Sequence, residues 1–344
     1  MTTSRAHPST GTCPPPLLSR ARELTEPVLR TLIDGLPGRL RRVAGYHMGW
    51  WDTEGRPAGH SGKCLRPALV LACAQASSDL DAAAAPPVLA AAAAVELVHD
   101  YSLLHDDVLD GDRTRRHRPT AWSVFGINQA ILTGDTLMAL AMQQVAIGKA
   151  ALVLSRAVQE LCEGQSADLA FETRDDVTVA ECLAMAEQKT GALTGAACEL
   201  GALTAGADET VAAAYGRFGR DFGMTMQLTD DLLGIWGDPS VTGKPAGADL
   251  ISRKKTLPVM AALESGTPVA ERLAGIYHDA RELDADGLAQ VKRLIEAAGG
   301  RDWVRAEIAR RTRAALAALA EVGPTAAGSA DLLLLIDMAG NRDH

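Results

Sequence analysis

The sequence predicts an all-α fold, built as one large helix bundle, and three observations predict it. Ala and Leu dominate a chain that is 47% hydrophobic, while aromatic residues make up only 4%. Ala and Leu lose little entropy in a helix, whereas strands favour β-branched and aromatic residues. Apolar residues recur three and four apart over most of the chain, and no segment sustains the alternation of a half-buried strand. The breaks between these stretches are short Gly, Pro or Asp clusters such as "GDPSVTGKPAGAD" and "ESGTP", and no linker separates two compositionally distinct halves.

Taken in order, residues 1–16, "MTTSRAHPSTGTCPPP", lack an apolar signal core and read as a disordered tail, with a single domain over 17–344. "PPPLLSRARELTEPVLRTLIDGL" opens on prolines and then spaces apolar residues helically. A helix is expected near 61–78. Residues 86–110, "PPVLAAAAAVELVHDYSLLHDDVLD", carry Pro at the start and Gly111 just past the end, the asymmetry of a long helix. Further helices are expected near 127–146, 150–165, 178–202, 208–234, 254–265, 285–299, 301–321 and 329–338. No apolar run reaches the roughly 18–20 residues needed to cross a bilayer, so stable membrane insertion is not expected. The net charge of −9 argues against general affinity for nucleic acid or anionic membrane. Six cysteines (13, 64, 73, 162, 182, 198) show neither CxxC nor zinc-like spacing, which suits reduced thiols in a cytoplasmic protein.

Asp106, Asp107 and Asp110 close the long Ala-rich helix. Positions four apart lie about 40° apart around the axis, so these carboxylates share one face. At a helix C-terminus they repel one another and oppose the helix dipole. Something positive must compensate, and Mg²⁺, bound by one or two carboxylates plus substrate phosphates, is a fitting solution. A solvated acidic helix end is the plainer alternative. Far downstream, "LTDDLLGIWGDPSVTGK" (228–244) holds a second pair, Asp230 and Asp231, and then Gly234 where a third carboxylate could stand.

Cations follow each cluster. Arg115 and Arg116 succeed the first in a loop, and Lys244 and Lys254 succeed the second. "SGKCLRPALV" puts Lys63 and Arg66 three apart at a helix start that itself favours anions. His99 sits two turns before Asp106, and "EQKTGALTGA" sets Lys189 and Thr190 in an otherwise apolar, small-residue helix. Each of these alone reads as a surface lysine or a hydrogen-bonded core histidine. Together, two acidic clusters with attendant cations in a negatively charged chain are what metal-bridged diphosphate recognition requires.

With these motifs in register the sequence resembles the trans-isoprenyl diphosphate synthases, or polyprenyl synthetases, from about residue 60 to 260. "GKCLRP", "HDDVLDGDRTRRHRPT", "KTGAL" and "MQLTDDLLGIWGDPSVTGKPAGADLISRKKTLP" look like that family's GK-x-x-RP, first Asp-rich, Lys-Thr and second Asp-rich segments. The resemblance implies helices around a deep central cavity, a homodimer, and condensation of isopentenyl diphosphate with an allylic diphosphate using three Mg²⁺ ions. It implies that Asp106 and Asp110 ligate two ions with Asp107 in support, and that Asp230, with Asp231 beside it, serves the third. Arg115, Lys189, Lys244 and Lys254 would hold the allylic diphosphate; Lys63, Arg66, His99 and Arg116 would hold isopentenyl diphosphate. Thr190 and Gln227 would aim oxygens at a developing carbocation.

The sequence departs from the pattern at Gly234, where the family often has a third aspartate, at Met226 (commonly Phe) and at His117 (commonly Gly). Asp238 is a candidate substitute for the missing carboxylate. Tyr101 and Ser102 lie roughly 6–7.5 Å deeper than Asp106 along the helix, so Tyr101 is placed to floor the prenyl cavity while Ser102 leaves room beside it. An aromatic there resembles C20 geranylgeranyl synthases, with C15 farnesyl next. Two alternatives remain: a class I terpene cyclase on the same fold, and a regulatory subunit of a synthase.

Overall fold

A computed structural model of the chain describes residues 15–340 apart from 60–61, 63, 79–80, 117, 146–147, 239–246 and 278–282. Lys63, His117, Lys244 and almost all of the expected tail therefore lie outside the described residues. In chain order the helices are α1 (Pro16–Asp34), α2 (Gly38–His47), α3 (Leu65–Ala76), α4 (Pro86–Leu109), α5 (Ala121–Phe125), α6 (Ile127–Gln144), α7 (Lys149–Phe171) and α8 (Val179–Ala186). They continue with α9 (Ala192–Thr204), α10 (Glu209–Trp236), α11 (Ala248–Ile251), α12 (Leu257–Leu263), α13 (Pro268–Tyr277), α14 (Ala285–Ala297), α15 (Gly300–Val322) and α16 (Ala326–Gly340). Among the described residues the only paired strands are β1 (Thr114–Arg115) and β2 (Arg118–Pro119), two residues each and antiparallel.

The long helices expected from periodicity are present, and their ends follow local chemistry. Pro16 and Pro86 occupy the first turns of α1 and α4, where no backbone donor is lost. Thr178 and Glu181 form a reciprocal capping box at α8, and the Asp208 carboxylate accepts the Thr210 and Val211 N–H groups at α10. Sequence reading missed α2, α5, α11 and α13, each of ten residues or fewer. Such lengths are too short for a helical period to register. The helix expected from 61 instead starts at Leu65, because Cys64 adopts a left-handed conformation with φ 52°.

Helix α4 is the hub. Its Ala91–Val95, Leu97 and Val98 are buried, and it packs on α3, α6 and α9. By length and composition it is apolar enough to cross a membrane, contrary to the sequence expectation. In this fold most of that apolar surface faces other helices. Helix α9 lies against both α4 and α10, and α10 in turn packs on α15. A second cluster, including Ile235, Leu250, Val259, Leu273 and Val291, gathers α11–α14 around the end of α10.

Where one helix was expected over 178–202, a π-turn at Glu187–Gly191 separates α8 from α9. It is this turn that carries Lys189 and Thr190. Two contacts hold it. Arg311 of α15, nearly buried, pairs with Glu187 (3.3 Å), Asp221 (3.0 Å) and Glu307 (2.9 Å), so three carboxylates share one guanidinium. On the opposite side Gly164 of α7 lets the turn approach closely: an added Cβ would meet Lys189 N at 2.5 Å and Gln188 C at 3.0 Å. Gly164→Ala should therefore lower stability by about 1–3 kcal/mol through overpacking. Equilibrium urea unfolding checks this, and a midpoint equal to wild type would refute the close contact.

Candidate active site

His99, Ser102, Asp106 and Leu109 follow one another at three- and four-residue spacing along α4, and so line one side of a cavity of about 360 Å³. Leu161, Cys162, Gln165 and Leu169 of α7 line the other side, with Lys189 and Thr190 at the end. Tyr101 reaches across, its hydroxyl 3.6 Å from Cys162 Sγ and its ring edge-on to His105 at 4.7 Å between centroids. A smaller cavity of about 60 Å³ lies beyond Lys189 and Thr190, lined also by Asp168, Gln227, Asp231 and Lys254.

The carboxylates at the end of α4 have different surroundings. Asp107 is buried, and its Oδ1 accepts from Arg115 Nε at 2.6 Å. Asp106 faces the cavity. Its Oδ1 is buried and accepts no well-formed hydrogen bond among the described residues, although Lys189 Nζ stands 3.1 Å away. Asp110 ends the helix and is exposed by surface area, yet partial desolvation, and then repulsion from Asp106, push its carboxyl up to about 6. Oxygen-only donors, one of them unsatisfied, fit a hard divalent cation. Among the described residues no three His, Cys, Asp or Glu side chains converge to hold an ion alone. Magnesium needs no such cage, because it keeps waters and takes substrate oxygens.

Lys189 also contacts Asp168 Oδ2 at 2.7 Å, so one ammonium joins α4 to α7. Asp168 was not singled out from the sequence. Its signal was present: Gln165 and Asp168 put polar groups three apart on α7 between the apolar Leu161 and Leu169. Beyond it, Thr190 Oγ1 donates to Gln227 Oε1 at 3.0 Å, and Gln227 Nε2 donates to Asp231 Oδ1 at 2.8 Å. Asp231 Oδ2 accepts the Leu257 N–H at 3.1 Å, which ties α10 to the start of α12. Burial, the largest influence, raises the Asp231 carboxyl to about 6. In this arrangement Asp231 fixes Gln227 at the wall of the smaller cavity, while its neighbour Asp230 is exposed.

Lys254 relates the two acidic regions. Burial alone would depress its pKa, but Asp168, Asp231, Asp249 and Asp110 together hold it above the usual lysine value. Its turn is fastened by reciprocal bonds to α13: Arg253 donates to the Ile276 and Tyr277 carbonyls (2.7 Å each), and the Tyr277 hydroxyl donates to the Lys254 carbonyl at 2.6 Å. On the other side, Arg115 and Arg118 pair across the β1–β2 ribbon, and Arg118 bonds the Tyr46 and Trp51 carbonyls.

A third group gathers Arg66, His99 and Arg116. The Arg66 Nε is buried without a partner among the described residues, and Arg116 lies within about 3 Å of where a Cβ on Gly62 would be. Burial, then Arg66 and Arg116, hold His99 well below its ordinary pKa, so the ring is neutral. Behind them Glu96 and Asp100 are buried, and burial first, then Asp100, raise Glu96 to about 7. Unfolded, Glu96 releases its proton near 4.5. The folded state's hold on that proton stabilises it fully below pH 4.5, and this contribution is lost as the pH rises to 7. Glu96→Gln removes the titration, so the melting temperature should fall less steeply over that interval than in wild type. Parallel thermal-melt profiles would refute it.

The chain is similar to known proteins over most of its length. The chain is 45% identical over 318 residues to the (2E,6E)-farnesyl diphosphate synthase of Mycobacterium tuberculosis, covering 90% of this chain and 88% of that protein. It is also 45% identical over 335 residues to the geranylgeranyl diphosphate synthase of the same organism, covering 95% and 93%. The crystal structure of a polyprenyl synthetase from Streptomyces coelicolor A3(2) superposes with a TM-score of 0.87 at 43% identity, over 94% of this chain and 98% of that one. A geranylgeranyl pyrophosphate synthase from Corynebacterium glutamicum, solved with isoprenyl diphosphate and magnesium, matches at 26% identity and a TM-score of 0.76, over 96% and 98%. Residues 57–295 match the polyprenyl synthetase family, and the chain belongs to it.

Proposed function

We propose that this chain is a short-chain trans-prenyltransferase that joins isopentenyl diphosphate head-to-tail to an allylic diphosphate. The observation that carries the reading is the cleft where Asp106, Lys189 and Asp168 meet, flanked by the separate basic group of Arg66, His99 and Arg116. Two anionic head groups need two cationic sites, and a neutral His99 can donate to one without adding charge. Magnesium, with three ions expected at Asp106, Asp110 and Asp230, would neutralise the allylic diphosphate and favour its departure. Asp107 supports that set by holding Arg115, and Asp231 by orienting Gln227.

The residues of the chain divide the remaining work. Arg115, Lys189 and Lys254 draw the allylic diphosphate in, and Lys189 must exchange part of its contact with Asp106 and Asp168 to do so. Because Asp231 accepts from the Gln227 amide N–H, the Gln227 oxygen is directed at Thr190. Thr190 donates that bond and keeps its own lone pairs for a neighbouring positive centre. Leu161 and Leu169 exclude water that would otherwise quench a carbocation.

Tyr101, bridging toward Cys162, supports a floor that limits the product to C20 geranylgeranyl diphosphate. The 45% identity to both a farnesyl and a geranylgeranyl synthase does not itself choose between lengths. Exposed Ile127, Leu132 and Leu152 on α6 and α7 support a homodimer face, and the chain from residue 17 is taken as one cytoplasmic domain. A terpene cyclase would have no use for Arg66, His99 and Arg116, and a regulatory subunit would have none for an intact Asp106–Lys189 cleft.

Product analysis with labelled isopentenyl diphosphate and dimethylallyl, geranyl or farnesyl primers tests the reading. Condensation by the isolated chain is expected; hydrocarbon from geranylgeranyl diphosphate alone would overturn it in favour of a cyclase. Asp106→Asn should lower kcat by about 100-fold or more, with the melting temperature near that of wild type. Tyr101→Ala should lengthen the product, and an unchanged product would remove Tyr101 from the floor.

A further inference from the structure

The π-turn that carries Lys189 is gripped from two directions. Lys189 reaches toward α4 and α7, to Asp106 at 3.1 Å and Asp168 at 2.7 Å. Glu187, two residues earlier, lies about 200° away around a helix axis at about 100° per residue. It reaches Arg311 of α15 at 3.3 Å. On the flanks the backbone has little room to slide. Gly164 of α7 abuts Lys189 N, and a Cβ on Gly223 of α10 would meet Gly191 Cα at 3.1 Å and the Thr190 carbonyl oxygen at 3.3 Å. The freedom left to the turn is rotation about its own axis, and Lys189 and Glu187 oppose each other in setting it.

The fold does not require Glu187 for charge balance at Arg311. Arg311 bonds Asp221 at 3.0 Å and Glu307 at 2.9 Å, and Arg310 bonds Glu307 again at 2.6 Å. Two guanidiniums thus already meet two carboxylates. Arg220 of α10 is engaged by Glu160, at 2.7 and 2.9 Å. Glu187 therefore brings an excess negative charge, and after burial it helps to hold the Asp221 carboxyl above its ordinary value. Its own side chain is 37% exposed, where an ion pair contributes about 0–1 kcal/mol. An anchor selected for stability alone would omit it. During turnover Lys189 has to loosen its hold on Asp106 and Asp168 to engage a diphosphate, and a tether on the opposite face then keeps its turn in place.

We propose that Arg311 is a positioning residue for the allylic site, acting through Glu187 to fix the direction in which Lys189 meets the diphosphate. Arg311 lines neither of the two cavities described above, so its influence passes through the orientation of one turn. The inference rests on the reading of Lys189 as an allylic-diphosphate ligand given above.

The test is steady-state kinetics of the full chain with each diphosphate varied in turn, and a thermal melt of every variant. Glu187→Ala should raise KM for the allylic diphosphate about tenfold, the order of loss that a small misplacement of a binding group produces. KM for isopentenyl diphosphate and the melting temperature should stay near those of wild type. In a Lys189→Ala background the same substitution should have no further effect, because both act through one side chain. Arg311→Lys keeps the charge but loses the fork that reaches three carboxylates, and should reproduce the allylic defect. A lowered melting temperature with both KM values unchanged would make the contact structural and overturn the proposal. So would equal rises in the two KM values, or an undiminished effect of Glu187→Ala when Lys189 is replaced. Should Arg311→Lys not fold, because Asp221 loses its buried partner, Glu187→Ala decides the question alone. Lys189→Ala with a wild-type allylic KM would instead remove Lys189 from the diphosphate site, and a wild-type chain that condenses nothing would overturn the proposed function; the inference falls with either.

Discussion

Three carboxylates stand at the negative end of a 24-residue helix, where both their mutual repulsion and the helix dipole work against them. The cleft is organised around meeting that excess of negative charge. Arg115 answers Asp107, and Lys189, delivered by a π-turn, answers Asp106 while it also holds Asp168 on α7. The compensation is incomplete, since Asp106 Oδ1 stays buried without a proper hydrogen bond and Asp110 is pushed up to about 6. Buried charge that is only partly paired is costly to keep. In the function proposed above, a mobile cation and an anionic substrate would complete that balance during turnover.

The second half of the cleft is held by a different economy of contacts. Thr190, Gln227, Asp231 and the Leu257 N–H form a directed chain in which each donor and acceptor has one partner. A carboxylate at one end accepts only, so the amide between cannot turn over without losing a bond. The chain therefore fixes which atom of Gln227 faces Thr190. The same residues join three elements, the π-turn, α10 and α12, so alignment of the site and packing of the bundle are one problem.

Much of this was legible in the sequence, because it rests on period and on local chemistry. The long helices announced themselves through Ala- and Leu-rich stripes, and the acidic and basic clusters through their spacing around Asp106 and Asp230. What escaped was set by contacts distant in sequence. Helices α2, α5, α11 and α13 are too short to show a period, and the late start of α3 depends on one left-handed residue, Cys64. The π-turn at Lys189 is dictated by Gly164 and Arg311 on other helices, and Asp168 acquires its place only when α7 meets that turn. Likewise the carboxylate of Asp249 comes to lie over Gly234 only once the chain has folded back along α10.

The π-turn has one further implication. It accommodates one residue more than an α-helical turn, and a single residue corresponds to about 100° of rotation around a helix axis. Loss of one residue between 187 and 191 would let α8 and α9 merge into a continuous helix, but everything on one side of the junction would be rotated relative to the other. Lys189 would no longer point between α4 and α7 while the small residues of α9 kept their seats against α10. The extra residue works as an indexing step, uncoupling the orientation of a functional side chain from the packing phase of the helix that carries it.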